Sequence, residues 1–279
     1  MGEAVSLSAA VAKREAEHAA KVQEQSEADL AHAIIRRSIA AAQHLGVADH
    51  RIALSLLLHG GLLVGARAFR AELSGFLADL DFLETLPGNE FRSGLAEVLK
   101  CGFIADPAIL DEFEADPAAA IEPASALQAK LIRRAVAVKA AVVSADLRER
   151  TSEGSDIGRE ALNYGHTLGH AIERQEHFLL RHGEAVAIGM VFAAELAHRL
   201  GLIDADLVAR HRRVLTLAGL PTSYPEGAWL TLRNTMSLDK KARGSSLRFV
   251  LLDGMASPVI VSDPAEGVLA DAFLGLNEA

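Results

Sequence analysis

Residues 163–184 have the sequence NYGHTLGHAIERQEHFLLRHGE, and they decide the fold because they predict two consecutive helices that carry histidines. The first helix is predicted over residues 162–175. His166 and His170 lie four residues apart on it, so both imidazoles leave the same face, one turn apart. His182 follows a loop-like segment and stands where the second helix is expected to begin. This spacing makes the stretch a candidate metal or phosphate site.

A histidine pair at this spacing also occurs by chance on amphipathic helices, so the pair alone does not establish metal binding. A catalytic site for a divalent metal commonly takes three protein ligands from histidines and carboxylates and leaves one position open. A buried glutamate close to these histidines would therefore complete the set.

Two glycines in the same helical pattern, Gly165 and Gly169, are also four residues apart. Glycine costs a helix about 1 kcal/mol relative to alanine, so two of them on one face need a physical reason. The usual reason is the close approach of another backbone or of a ligand. We expect one of these at this helix.

The composition restricts the classes of function. The chain has 279 residues, half of them hydrophobic, which is enough for one large domain or two small ones. A net charge of −9 and a pI near 5.7 argue against nucleic acid and anionic membranes as partners. The single cysteine, Cys101, excludes an internal disulfide framework. Without an apolar run of membrane-spanning length or a secretory signal, the protein is expected to be cytoplasmic.

The pattern along the chain predicts two parts. Residues 1–75 begin with a long stretch rich in Ala, Glu, Gln and Lys, which favours a helical N-terminal segment. Residues 76–279 are predicted to form a mainly α domain of many helices with a small terminal β hairpin. Its further helices are expected at residues 127–144, 185–201 and 204–219, and its strands at residues 248–252 and 258–261. Three arginines of helix 204–219 are expected to form a solvated basic face: Arg210, Arg212 and Arg213.

The helix predicted after residues 86–89 carries Glu97 and Lys100, one turn apart on one face. Such a pair is commonly a solvated ion pair worth a few tenths of a kcal/mol. The apolar residues around it indicate instead that part of this helix is buried, and a buried glutamate needs a partner. Cys101 on this helix is interpreted as a core residue.

Four blocks of the sequence resemble the C-terminal domain of 3-dehydroquinate synthase and its sugar-phosphate cyclase relatives. They are RSGLAEVLKCGFIADP from Arg92, NYGHTLGHAIE from Asn163, HGEAVAIGM from His182 and SLDKKARGSSLRFVLLDG from Ser237. The blocks occur in the order of the family, and the resemblance covers roughly residues 77–261. It implies a helical domain that binds a metal and a substrate.

The resemblance also implies roles for individual residues. The divalent metal, zinc or cobalt, is expected on Glu97, His166 and His182. Catalytic roles are implied for Lys100, Lys139 and His170. Substrate binding is implied for Arg159, Asn163, Lys240 and Lys241.

The reaction implied by the resemblance is a lyase reaction of the shikimate pathway, which leads to aromatic amino acids. Bound NAD oxidises a hydroxyl of a phosphorylated seven-carbon sugar acid to a ketone, which acidifies the neighbouring proton. Phosphate then leaves by elimination, the ketone is reduced back, and the ring opens and closes to a carbocycle. The partner is thus a small phosphorylated sugar, and family members are commonly dimers.

The sequence departs from the family at its N-terminal end. The family's NAD-binding domain carries a glycine triplet followed by an acidic residue, and a later GGK-containing loop. Neither pattern is found here, since HGGLLVGARAF from His59 has no lysine after Gly61. NAD is therefore expected from the family although its binding motifs are missing.

Several functions stay open at this point. The segment between Asp146 and Arg159 is longer than in dehydroquinate synthases, which favours a cyclase that makes a secondary metabolite. The missing NAD motifs favour a non-catalytic or partner-dependent metal-binding subunit. A metallohydrolase that uses the Glu and His residues without NAD is a third alternative.

Overall fold

A computed structural model of the chain describes residues 80–123, 125–145, 157–243 and 246–277, leaving out the side chains at 80–82 and 238–243. Residues from Leu83 onward belong to one compact unit, Leu83–Ala279. The predicted helical segment 1–75, the predicted domain boundary after it and the long segment before Ile157 lie outside the described residues.

The described part of the chain is a helical domain with one β hairpin, as the sequence predicts. Its helices are α1 (Gly88–Ile104), α2 (Ala108–Ala115), α3 (Pro117–Ile121), α4 (Ala126–Ala145), α5 (His166–Gln175), α6 (His182–Arg199), α7 (Ala205–Leu217), α8 (Trp229–Arg243) and α9 (Glu266–Gly275). Short 3-10 helices cover Leu80–Thr85, Gly158–Asn163 and Glu226–Ala228. None of the described helices is long and apolar enough to cross a membrane.

Helix α6 is the centre of this unit. Its sequence is apolar or small on all faces, and the helix is buried from Gly183 to Ala197 apart from Glu184. Helices α1, α5, α7 and α9 and strand β1 all pack against it. The helix begins at His182 because the side chain of Glu184 accepts a hydrogen bond from the backbone N–H of Arg181, 2.9 Å away.

Helices α5 and α6 cross at backbone contact, which confirms the expected close approach at the two glycines. A Cβ atom on Gly169 would lie 3.3 Å from the carbonyl oxygen of Ala185, and one on Gly165 would lie 2.9 Å from that of Val186. Across the crossing, a Cβ atom on Gly189 would lie 1.9 Å from the carbonyl oxygen of Gly165. The crossing therefore requires glycine at Gly189.

The start of α5 differs from the prediction. Gly165 has a φ of 78°, which ends the preceding 3-10 helix Gly158–Asn163 and places the first helical residue at His166 rather than at residue 162. This left-handed conformation is one that glycine adopts without a steric penalty. It positions His166 at the very beginning of the helix.

The terminal hairpin is confirmed. Strands β1 (Arg248–Leu252) and β2 (Pro258–Ser262) pair antiparallel, with Val250 opposite Ile260. Strand β1 is buried against α6 from its second residue onward, whereas β2 is partly exposed.

The expectation of a solvated basic face on α7 is wrong. Arg212 donates to Glu195 Oε1 at 2.7 Å and to the carbonyl oxygen of Leu276 at 3.1 Å, and so caps the C-terminal end of α9. Arg210 pairs with Glu114 at 2.7 Å, and Arg213 pairs with the same carboxylate at 2.8 Å. The partners come from α2, α6 and α9, which are distant in sequence, so the pattern of α7 alone does not reveal them.

We expect Arg212→Ala to lower the free energy of unfolding by about 2–3 kcal/mol, because Arg199, 3.8 Å away, is then the one cation that the described residues offer to the carboxylate of Glu195. The matched control is Arg213→Ala on the same helix, whose side chain is 55% exposed. Arg213→Ala should lower the free energy of unfolding by about 0.5 kcal/mol, because exposed ion pairs contribute little to stability. Urea unfolding would measure both, and equal losses for the two variants would contradict the capping role.

The backbone crossing gives a second prediction. Gly189→Ala should lower the free energy of unfolding by about 2–3 kcal/mol, because the added methyl group meets the backbone of Gly165. Gly267→Ala is the control, since no atom of the described residues lies within 4 Å of its Cβ position. It should leave stability unchanged or raise it by up to about 1 kcal/mol.

Fluorescence of Trp229 during urea unfolding measures this difference, since it is the single tryptophan of the chain and packs on Phe273 with 5.1 Å between ring centroids. An unfolding midpoint for Gly189→Ala equal to that of the unmodified chain would show that the two backbones are not in contact.

Candidate metal centre

Three side chains from three helices meet at one point. Glu97 comes from the middle of α1, and His166 and His182 are the first residues of α5 and α6. Glu97 Oε1 lies 3.9 Å from Nε2 of His166 and 3.8 Å from Nε2 of His182. One ligand atom of each residue lies within 4.8 Å of the others. The three residues are therefore close enough to bind a single ion.

The two oxygens of Glu97 have different environments. Oε2 accepts a hydrogen bond from Lys100 Nζ at 2.8 Å. Oε1 is buried and has no hydrogen-bond partner among the described residues. A buried carboxylate oxygen without a partner is costly, and a divalent cation between the two imidazoles would satisfy it. One carboxylate and two imidazoles are also a ligand set that zinc and cobalt accept.

The charges around Glu97 favour its ionised form. Burial alone would raise the pKa of Glu97, but Lys100, His182 and His166 together hold it well below its usual value. Burial lowers the pKa of His166 to about 3, so this imidazole is neutral. Its Nδ1–H donates to the carbonyl oxygen of Tyr164 at 3.0 Å, which leaves the Nε2 lone pair for an ion.

Glu173 belongs to the same site, although the sequence analysis did not select it. Its Oε1 lies 3.1 Å from Nδ1 of His182, so that nitrogen donates and Nε2 of His182 faces Glu97. The pKa of His182 is raised by Glu97 first and by Glu173 in addition. A signal was present in the sequence, because Glu173 follows His166 by seven residues and so lies on the same helical face.

His170 lies beside this group with an exposed side chain. Its ring centroid is 5.2 Å from that of His166 and 6.2 Å from that of His182. Ligand atoms of His170, Glu173 and His182 also lie within reach of one another. The face that carries the histidines is therefore open to solvent at His170.

Two of the predicted lysines, Lys100 and Lys139, are buried and half-buried, respectively. The side chain of Lys100 is only 3% exposed. Burial lowers the pKa of Lys139 on α4, against the opposing effect of Glu97, and Lys100 and Arg159 lower it further. Lys100 is thus paired with Glu97 in the interior, and Lys139 is a half-buried cation on α4.

The remaining predicted residues are less closely tied to this centre. Asn163 is exposed at the end of the 3-10 helix Gly158–Asn163, which also carries Arg159 and packs against α4. Lys240 and Lys241 lie on α8, and their side chains are outside the description. Their assigned roles stay predictions.

Cys101 is buried, as expected for a core residue, and burial raises the pKa of its thiol to about 12. The thiol is therefore protonated at neutral pH and is not a nucleophile.

Comparison with known proteins identifies a family. Residues 94–242 match the model of the 3-dehydroquinate synthase C-terminal family. The chain is 58% identical over 204 residues to the 3-dehydroquinate synthase of Thermobifida fusca, covering 73% of this chain and 54% of that protein. It is 53% identical over 218 residues to that of Mycobacterium leprae, covering 78% and 58%. The chain thus spans about half the length of the curated relatives that it matches.

The chain is also similar, at lower sequence identity, to solved structures of two synthases. The 2-epi-5-epi-valiolone synthase of Streptomyces hygroscopicus subsp. jinggangensis 5008, with NAD+ and Zn2+ bound, matches with a TM-score of 0.61 and 28% identity, covering 73% of this chain and 54% of that one. A 2-deoxy-scyllo-inosose synthase complexed with carbaglucose-6-phosphate, NAD+ and Co2+ matches with a TM-score of 0.57 and 26% identity, covering 70% and 55%.

We expect Glu97→Gln to weaken cobalt binding at least about 100-fold, because an amide removes the anionic ligand from a buried position. Glu122→Gln, at an exposed position, is the control and should bind as the unmodified chain does. Equilibrium dialysis against Co2+ measures the dissociation constant, and the visible absorption of the bound ion reports its ligands. Equal affinities for Glu97→Gln and the control would exclude this site.

Proposed function

Because the chain belongs to the 3-dehydroquinate synthase family, we propose that it carries the metal- and substrate-binding half of a carbon–oxygen lyase. The reaction is the cyclisation of a phosphorylated seven-carbon sugar acid with loss of phosphate, a step of the shikimate pathway. The observation that carries the proposal is the buried Oε1 of Glu97, which faces two imidazole nitrogens at 3.8 and 3.9 Å. A cytoplasmic enzyme of small-molecule metabolism would suit the single reduced cysteine.

The degree of identity supports this substrate over the alternative sugar phosphates. The 3-dehydroquinate synthases are 51–58% identical to the chain, whereas the two cyclases of other products are 26–28% identical. A cyclase of secondary metabolism is the second candidate, favoured only by the long segment before Arg159. Product analysis with both classes of sugar phosphate would separate the two.

Glu97, His166 and His182 would hold the divalent metal, zinc or cobalt. When bound there, the ion would supply Lewis-acid chemistry for the substrate's hydroxyl oxygens. Glu173 fixes the ring of His182, and the carbonyl of Tyr164 fixes that of His166. The two imidazoles are thereby oriented before substrate arrives.

The cations of the site would bind the anionic groups of the substrate. Lys100 is buried against Glu97 and Lys139 is half-buried on α4, where water screens charges less than at the surface. Arg159 offers two parallel N–H donors, which match a phosphate or a carboxylate. Asn163, Lys240 and Lys241 would add polar contacts, and the exposed imidazole of His170 would exchange a proton with the substrate.

NAD is part of the proposed reaction, and we place its site outside the described residues. The strands that the structure describes form only the antiparallel hairpin, and nicotinamide-binding turns follow parallel strands. A separate nucleotide-binding part outside the described residues, or a partner chain that carries one, would therefore complete the enzyme. A metal-binding subunit that depends on such a partner is the non-catalytic alternative.

The test is phosphate release from the phosphorylated seven-carbon sugar acid by the zinc-loaded chain, with and without NAD. Release that requires both zinc and NAD supports the lyase. Release without NAD would favour a metallohydrolase. Stoichiometric zinc binding without NAD binding by calorimetry, together with no release, would favour the partner-dependent subunit.

A lysine variant separates substrate binding from metal binding. Lys139→Met should weaken binding of the sugar phosphate about 100-fold, because hydrogen bonds to charged groups contribute about 1.5–3 kcal/mol. Zinc affinity should not change. Lys130→Met, on the same helix but 53% exposed, is the control. Calorimetry on the zinc-loaded chain measures both constants, and unchanged substrate affinity in Lys139→Met would remove this residue from the site.

A further inference from the structure

A buried histidine that the proposed chemistry does not use lies behind the centre. His211 on α7 has no solvent exposure, and its ring stacks on Phe103 with 3.7 Å between centroids. Its Nδ1 lies 2.7 Å from the carbonyl oxygen of Leu207, which only accepts, so Nδ1 carries the proton. Burial lowers the pKa of His211 to about 4, so its Nε2 is an acceptor at neutral pH.

That acceptor is used by Tyr164. The hydroxyl of Tyr164 lies 2.9 Å from Nε2 of His211, and since Nε2 carries no proton, the hydroxyl donates. Tyr164 has no solvent exposure either. The carbonyl group of Leu207 therefore fixes the direction of both hydrogen bonds: His211 donates to Leu207, and Tyr164 donates to His211.

The pair is connected to the metal centre through the backbone. Tyr164 precedes Gly165, and its carbonyl oxygen accepts the Nδ1–H of His166 at 3.0 Å. The direction of that carbonyl depends on the ψ angle of Tyr164, 126°, between the 3-10 helix and the left-handed Gly165. Two contacts restrict this ψ angle. The side chain of Tyr164 is hydrogen-bonded to His211 on α7, and the backbone of Gly165 is packed against α6.

We propose that Tyr164 and His211 are positioning residues for His166. They hold the Tyr164 carbonyl where it accepts Nδ1–H, and so keep Nε2 of His166 directed at Glu97 Oε1. The inference rests on the proposed function, since it assigns His166 to a metal. A phenylalanine at position 164 would fill nearly the same volume without the hydroxyl, so packing alone does not account for a buried tyrosine that donates to His211.

The test compares the two tyrosines of the chain. Tyr164→Phe should raise the dissociation constant for Co2+ about 10-fold or more and shift the visible absorption of the bound ion, as the loss of outer hydrogen bonds does at metal sites. Tyr224→Phe is the control, because Tyr224 is also buried and donates to Glu176 just beyond the far end of α5. It should lower the unfolding midpoint without changing the cobalt constant or spectrum.

Two variants of His211 add a rescue experiment. His211→Leu should weaken cobalt binding as Tyr164→Phe does, whereas His211→Gln, whose amide oxygen replaces Nε2 as acceptor, should restore most of the affinity. Cobalt constants and spectra of Tyr164→Phe and His211→Leu that equal those of the unmodified chain would overturn the inference and leave the proposed function intact. An unmodified chain that binds no cobalt would overturn both.

Discussion

The backbone contact between Gly189 of α6 and Gly165 is the constraint on which the rest of this structure depends. Only when the backbones of Gly165 and Gly189 are in contact does the stretch from Tyr164 to His166 lie against α6. The first residue of α5 is then held beside the first residue of α6, with 5.2 Å between the rings of His166 and His182. The glycines thus set the geometry of the site through the packing of helices, although neither of them has a side chain that could bind an ion.

Around this crossing, the site is built from opposing charges, of which Glu97 and Lys100 are mostly shielded from solvent. The carboxylate of Glu97 stays ionised in spite of its burial because a lysine and two imidazoles surround it. Lys100 in turn stays buried because that carboxylate lies 2.8 Å away. Either charge buried without the other would destabilise the folded state, so Glu97 and Lys100 are stable in the interior only together.

Much of this could be predicted from the sequence, because it depends on local patterns. Periodicity and turn residues predict α1, α4 to α7, the hairpin and the position of His182 at a helix start, but not α8 and α9. Glu173 could have been found from its helical spacing to His166. The ion pairs of Arg212 and the buried hydrogen bond between Tyr164 and His211 could not, because their partners come from elements that only tertiary packing brings together.

The order of the three acidic and imidazole groups along the chain has a consequence for folding. Glu97 belongs to α1, whereas His166 and His182 begin α5 and α6, which follow α2, α3 and α4 along the chain. An ion held by all three would act as a crosslink that closes a long loop, and it would bind the folded chain only. Stability would then rise with the free metal concentration, by about 2.7 kcal/mol at one hundred times the dissociation constant. Removal of the metal by a chelator would therefore lower the free energy of unfolding as well as abolish the activity.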